Sequence, residues 1–226
     1  MGLSRMFLYL KAFTHLSDLD RRTNALLDHP KEMITETFHY CDSFLSPIQV
    51  VDELAQLLDD VKSLHPQTVI EIGTHRGGTL YLWTRLAQPG ATLISIDLPG
   101  GKFGSGYSPF RIPIYKKFAR GNQTLHLLRA DSHAVTTLEE TKRLLAGQPI
   151  DFLFIDGDHT YDGVKNDYQM YSPLVRPGGL IIFHDIAGNY ADTQVKSFWD
   201  TLTATHPHRE YISNPGGQYG IGLIQK

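Results

Sequence analysis

The sequence predicts an α/β fold, a doubly wound and mainly parallel sheet with helices on both faces. Three observations predict it. Short apolar runs recur from Val69 to the C-terminus, stretches with helical spacing of apolar residues separate them, and most runs end on a glycine, an acid or a histidine. Strands alternating with helices build βαβ units, and buried parallel strands read as near-continuous apolar runs. Right-handed crossovers then place the carboxyl ends of the strands on one edge, where ligands bind.

The elements follow in order. Residues 1–46 show only a helix over 19–27 that Pro30 ends, and are expected to form an N-terminal extension or cap on a domain spanning 47–226. Val50, Val51, Leu54, Leu57, Leu58, Val61 and Leu64 have helical spacing, closed by Pro66. Strands are expected at 69–72, 92–96, 125–128, 150–155 and 180–183. Helices are expected at 78–87, 113–120, 135–145, 164–171 and 194–205. The tail segments 210–212 and 220–224 read as an antiparallel pair.

Composition narrows the function. Of 226 residues, 41% are hydrophobic and 20% charged, and the net charge is −3, which favours neither nucleic acid nor an anionic membrane as partner. The single Cys41 rules out an internal disulfide and a cysteine metal cluster, and fits the reducing cytoplasm. No apolar stretch is long enough to span a membrane. The expected partner is a small molecule, and a homo-oligomer is left open. The 99–120 loop is basic, with Lys102, Arg111, Lys116, Lys117 and Arg120 and no acid. It reads either as a lid that draws an anionic substrate or as a solvated face.

The strand ends carry the chemistry. In VIEIGTHRGGT (69–79), Gly73 permits a tight turn, and Gly77 and Gly78 leave a helix N-terminus open to an anionic group. The spacing does not match the dinucleotide fingerprint, and no Lys follows the glycines as in a P-loop. Asp97 ends the next strand, where an acid commonly takes the two hydroxyls of a ribose. The plainer alternative is a glycine-bearing turn with an incidental acid. Further on stand Asp131 with Ser132, then FLFIDGDH (152–159), then His184 with Asp185.

In this order, EIGTHRGGT, ISIDL, RADS, FLFIDGDH and PGGLIIFHD resemble the class I S-adenosylmethionine-dependent methyltransferases over roughly residues 48–226. Within them the chain most resembles the metal-dependent O-methyltransferases: the catechol and caffeoyl-CoA type, the macrolide-sugar enzymes and the cephalosporin-hydroxylase-like group. The resemblance implies a Rossmann-like, seven-stranded sheet with an antiparallel last strand, in keeping with the tail. It implies that Glu71, Gly73 and Thr79 flank the methionine half of the cofactor, that Asp97 holds the ribose, and that Asp131 and Ser132 lie beside the adenine. Thr74, His75, Gly77, Gly78 and Asp156 are further candidate cofactor contacts.

Two chemistries fit FLFIDGDHT. Four apolar residues and D-x-D-x-T also match a haloacid-dehalogenase phosphatase, with Asp156 as nucleophile and Asp158 as acid/base, but that motif ends the first strand of its fold and here it comes late. The resemblance to the metal-dependent O-methyltransferases implies instead that Asp156, His184 and Asp185 hold a divalent metal, Mg²⁺ or Mn²⁺, and that His159 is the base. A divalent cation makes a hydroxyl acidic, and a histidine takes its proton. These families usually place an acid where His184 stands, so His184 is either a ligand, which suits later metals than Mg²⁺, or a substrate contact. Asp158 is expected to orient His159 or to be a turn acid, and Gln49 to help close the site. An RNA nucleoside methyltransferase and a non-catalytic cofactor-binding protein are the remaining alternatives.

Overall fold

The structure, a computed structural model, describes residues 3–103 and 106–226. Three helices, α1 (Leu3–Thr14), α2 (Leu16–Asn24) and α3 (Pro30–Ser43), precede α4 (Val51–Leu64) and the alternating part: β1 (Thr68–Ile72), α5 (Gly78–Leu86), β2 (Thr92–Ile96), the short α6 (Ile112–Tyr115), β3 (Thr124–Leu128), α7 (Val135–Leu145), β4 (Ile150–Ile155), α8 (Tyr161–Tyr171), β5 (Val175–His184), α9 (Val195–Thr203), β6 (His208–Tyr211) and β7 (Ile221–Gln225). The seven strands form one sheet of order β3-β2-β1-β4-β5-β7-β6. Strands β1 to β5 are parallel where they pair, and β7 runs antiparallel to both neighbours.

Strand periodicity divides the core. Val69, Leu93, Phe152, Phe154 and Ile182 face α4 and α5, whereas Ile70, Ile94, Leu153, Ile155 and Ile181 face the side that carries Val164 of α8 and Trp199 of α9. Register fixes the functional edge. Ile72 pairs with Ile96 and Ile155, and Ile155 with Phe183, so these four lie in one row. The residue after each is Gly73, Asp97, Asp156 or His184. The chemistry-bearing positions thus form the next row at the carboxyl edge, beside the β4–β1 boundary where strand order reverses.

Residues 1–46 showed one helix in the sequence and contain three here. The helix expected at 19–27 corresponds to α2, whereas α1 was missed because it is apolar on more than one face: Ala12 is fully buried while Phe7 stays exposed, so no stripe stands out. Asp20 of α2 accepts from buried Arg85 at 2.7 Å and from the Tyr81 hydroxyl at 2.8 Å, which ties these helices to α5. The helix expected at 113–120 is a correction: it stops after one turn. Phe118 is buried among Tyr81 and Tyr115, and buried Arg85 captures its carbonyl in place of the next helical N–H. Several cations of the basic loop are engaged by the protein itself. Arg111 donates to the Phe44 and Arg76 carbonyls, Lys117 lies over the Phe13 ring, and Arg120 holds the Arg85 carbonyl. Helix α8 starts a turn earlier than 164 because Thr160 caps it, accepting from the Gly163 N–H. Among the described residues no helix is long and apolar enough to cross a membrane.

Glu53 of α4 shows how the far edge is held. It is 1% exposed, and its two oxygens accept the backbone N–H groups of Ser213 at 2.7 Å and Gly220 at 3.0 Å, fixing the β6–β7 loop. Glu53→Ala leaves both N–H groups without a partner and is expected to cost about 2–4 kcal/mol. A chemical-denaturation midpoint unchanged from wild type would disprove this.

Candidate active site

Gly73 brings the first loop onto the DGDH turn. Its φ is 90°, and a Cβ there would overlap the Asp156 carbonyl. At the end of β5, Asp185 takes a left-handed φ of 65°, a conformation an Asp tolerates better than most residues. As a result His184 and Asp185, though adjacent in sequence, both face Asp156.

Four side chains converge. His184 Nδ1 lies 3.1 Å from Asp156 Oδ1 and 3.2 Å from Asp185 Oδ1. His159 Nδ1 lies 2.9 Å from Asp185 Oδ2, and its Nε2 lies 3.4 Å from Asp156 Oδ1. Gln49 donates to Asp156 Oδ2 at 3.0 Å. Burial would protonate Asp156, but the charges and hydrogen bonds of His184 and His159 outweigh it and hold the carboxyl well below its usual range. Burial also pulls His159 down, yet hydrogen bonds to Asp156 and Asp185 raise it to about 10. His184 is likewise raised, its burial overcome by Asp156. The cluster sets two acids, Asp156 and Asp185, against two imidazoles, His159 and His184.

Such a cluster also suits a cation. Donor atoms of Asp156, His184 and Asp185 all lie within 4.8 Å of one another. Among the described residues, buried His184 Nε2 has no hydrogen-bond partner, and Asp185 Oδ1 has only the misaligned His184 contact. Two carboxylates and one imidazole form a mixed oxygen and nitrogen donor set that fits a divalent cation.

The same cavity, of about 610 Å³, continues along the sheet edge past Gly73, Thr74, His75 and Thr79 to Asp97, Asp131 and Ser132. Asp97 accepts the His75 N–H at 2.7 Å. Burial raises its pKa to about 6, against hydrogen bonds from the His75, Tyr107 and Thr74 backbone. Asp131 accepts the His133 N–H at 2.9 Å, and the Ser132 carbonyl accepts the Tyr171 hydroxyl at 2.8 Å.

Three expected cofactor residues stand off this cavity. Glu71 is fully buried beneath it, accepting from Thr74 at 2.7 Å and Trp83 at 2.8 Å, with burial lifting it to about 7. Strand alternation puts Glu71 on the Val69 face, toward α5. Gly77 faces the Tyr115 ring, and Gly78 faces Leu45 and Pro47. Asp158 does not orient His159: its Oδ1 accepts the Thr160 N–H at 2.9 Å in an Asx turn.

Other residues complete the far end. Phe103 stacks on His159 with centroids 4.8 Å apart and planes 10° apart. Lys102 bridges to Asp192 at 2.7 Å, and Tyr190, Thr193 and Tyr219 line the wall. Tyr190, Thr193 and Tyr219 carried no sequence signal beyond lying in loops that flank β5 and β7.

Comparison with known proteins accords with this geometry. A family model described as a methyltransferase domain matches residues 70–186, more than half of the chain. The uncharacterized protein y4gI of Sinorhizobium fredii (strain NBRC 101917 / NGR234) is 25% identical over 167 residues, covering 73% of this chain and 18% of that protein. The uncharacterized protein R132 of Acanthamoeba polyphaga mimivirus is 33% identical over 122 residues, covering 52% and 51%. The chain thus spans about half or less of the length of these relatives. Among solved structures, an O-methyltransferase from Bacillus cereus in complex with SAH superposes with a TM-score of 0.57 at 18% identity, over 85% of this chain and 90% of that one. The MycE methyltransferase of the mycinamycin biosynthetic pathway, in complex with Mg, SAH and mycinamycin VI, gives 0.50 at 16% identity, over 76% and 48%. The chain belongs to the methyltransferase-domain family, and its fold is that of the class I S-adenosylmethionine-dependent O-methyltransferases.

Proposed function

We propose that the protein transfers the methyl group of S-adenosylmethionine to a hydroxyl of a small molecule, a sugar or natural product, with a divalent cation held by Asp156, His184 and Asp185. The observation that carries this reading is the continuity of one cavity, with Asp97 at its cofactor end and His159 between buried Asp185 and half-buried Asp156 at the other. The Mg in the MycE complex lends it support. Asp97 receives the ribose hydroxyls, the 131–132 loop the adenine, and Gly73, Thr74 and Thr79 the methionine end. A bound cation would supply positive charge that makes a nearby hydroxyl more acidic. The acceptor oxygen attacks the sulfonium methyl, the S–CH₃ bond breaks to leave the neutral thioether, and the hydroxyl proton passes to His159. Phe103, stacked on His159, borders the acceptor end.

Asp97→Ala is expected to weaken S-adenosylmethionine binding by well over tenfold, since each charge-assisted hydrogen bond is worth about 1.5–3 kcal/mol. Affinity in the wild type should also fall as pH drops through about 6, because the free Asp97 carboxyl is then protonated and no longer a full acceptor. Calorimetry on both proteins tests this. Equal affinity in Asp97→Ala would refute the ribose role, and tight NAD binding in the wild type would refute the methyltransferase reading.

A further inference from the structure

Helix α8 carries a carboxylate that the proposed chemistry does not use. Asp167 is 0% exposed, and among the described residues neither of its oxygens meets an aligned hydrogen-bond donor. The charge it meets is that of His133, whose Nε2 lies 3.3 Å from Asp167 Oδ1 and 3.1 Å from the Gly163 carbonyl. One turn on, the Tyr171 hydroxyl holds the Ser132 carbonyl at 2.8 Å. On its other side Asp167 backs Gly157, where a Cβ would lie 3.6 Å from Oδ2. The carboxylate therefore stands between two loops, 131–133 and 156–159, that both line the cavity.

Stability is a weak reason for such an arrangement. A buried carboxylate loses its hydration, and an ion pair often does no more than offset that loss. Contact with Asp167 outweighs burial and holds His133 up at about 9, while burial raises Asp167 against the bonds from His133 and Ser132. What the pair fixes is direction: it joins the loop bearing Asp131 and Ser132 to a rigid helix. A loop ordered before binding loses less freedom when the ligand arrives.

We propose that Asp167 and His133 are positioning residues for the cofactor, holding the 131–133 loop in the geometry that receives the adenine end of S-adenosylmethionine. This rests on the cofactor reading given above. The test is calorimetry with S-adenosylmethionine on the wild type, Asp167→Asn, His133→Gln and the double variant, beside melting curves and steady-state rates. Each single change should raise Kd about tenfold or more, and the double variant should be no weaker than the worse single, because both remove one interaction. KM for the cofactor should rise with Kd while kcat at saturating cofactor stays within about twofold. A lowered melting temperature with unchanged Kd would overturn the proposal and leave the pair a structural one. If Asp167→Asn fails to fold, His133→Gln decides alone, since His133 is a quarter exposed. Wild type that binds the cofactor beside variants that bind it equally well defeats only this inference. Wild type that does not bind defeats the cofactor reading and this inference together.

Discussion

Under the proposed function, Asp156→Ala and Asp185→Ala are each expected to abolish divalent-cation binding and lower methyl transfer at least about a hundredfold, more than the loss usual for residues that only support a metal ligand. Removing either acid leaves one carboxylate facing both His159 and His184, where two now face them. A single carboxylate among imidazoles holds a hard cation poorly. Elemental analysis after dialysis reads the metal, and turnover with and without chelator reads the chemistry. His184→Asp separates the ligand question from the rest. An all-oxygen set should shift preference toward Mg²⁺ and away from Mn²⁺ or later metals. Turnover that survives both a chelator and Asp156→Ala would remove the metal from the proposal.

How far these sites could be read from sequence depended on whether backbone geometry or side-chain reach positions each residue. Gly73, Asp97 and Asp156 directly follow a strand and His184 ends one, and register in the sheet places all four in one row, which made them legible. Asp185 was legible from adjacency, though the positive φ that turns it toward Asp156 was not. Glu71 lies inside a strand, so the two-residue period, not its place in the motif, decides where it points, and it points toward Trp83. Asp158 has the spacing of a functional acid but is bound by its own turn. Helices α1 and α3 were hidden, and the helix expected at 113–120 was read too long, because packing on α5 and capture by Arg85 override local pattern. Asp167 and His133 are 34 positions apart and meet only through tertiary packing.

His159→Ala is expected to keep both metal and cofactor while losing on the order of 10²–10⁴ in rate, the range for a positioned base. The structure adds a condition. Held up at about 10 by Asp156 and Asp185 against the pull of burial, His159 keeps its proton throughout the neutral range when no cation is bound. A proton already in place cannot be accepted again, so in that state His159 is not a base. The shift comes from hydrogen bonds to the two carboxylates and then from their charge, both of which a divalent cation would share. Proton NMR of the imidazoles should therefore show His159 titrating far above the ordinary histidine range in chelated protein, and at lower pH once Mg²⁺ or Zn²⁺ is added. The rate of the metal-loaded enzyme should rise with pH through that lowered value, and this limb should vanish in His159→Ala. A variant within twofold of wild type at every pH would mean that the acceptor proton leaves by another route. In that case the two carboxylates around His159 would serve only to hold the imidazole beneath Phe103, closing the cavity without taking part in the transfer.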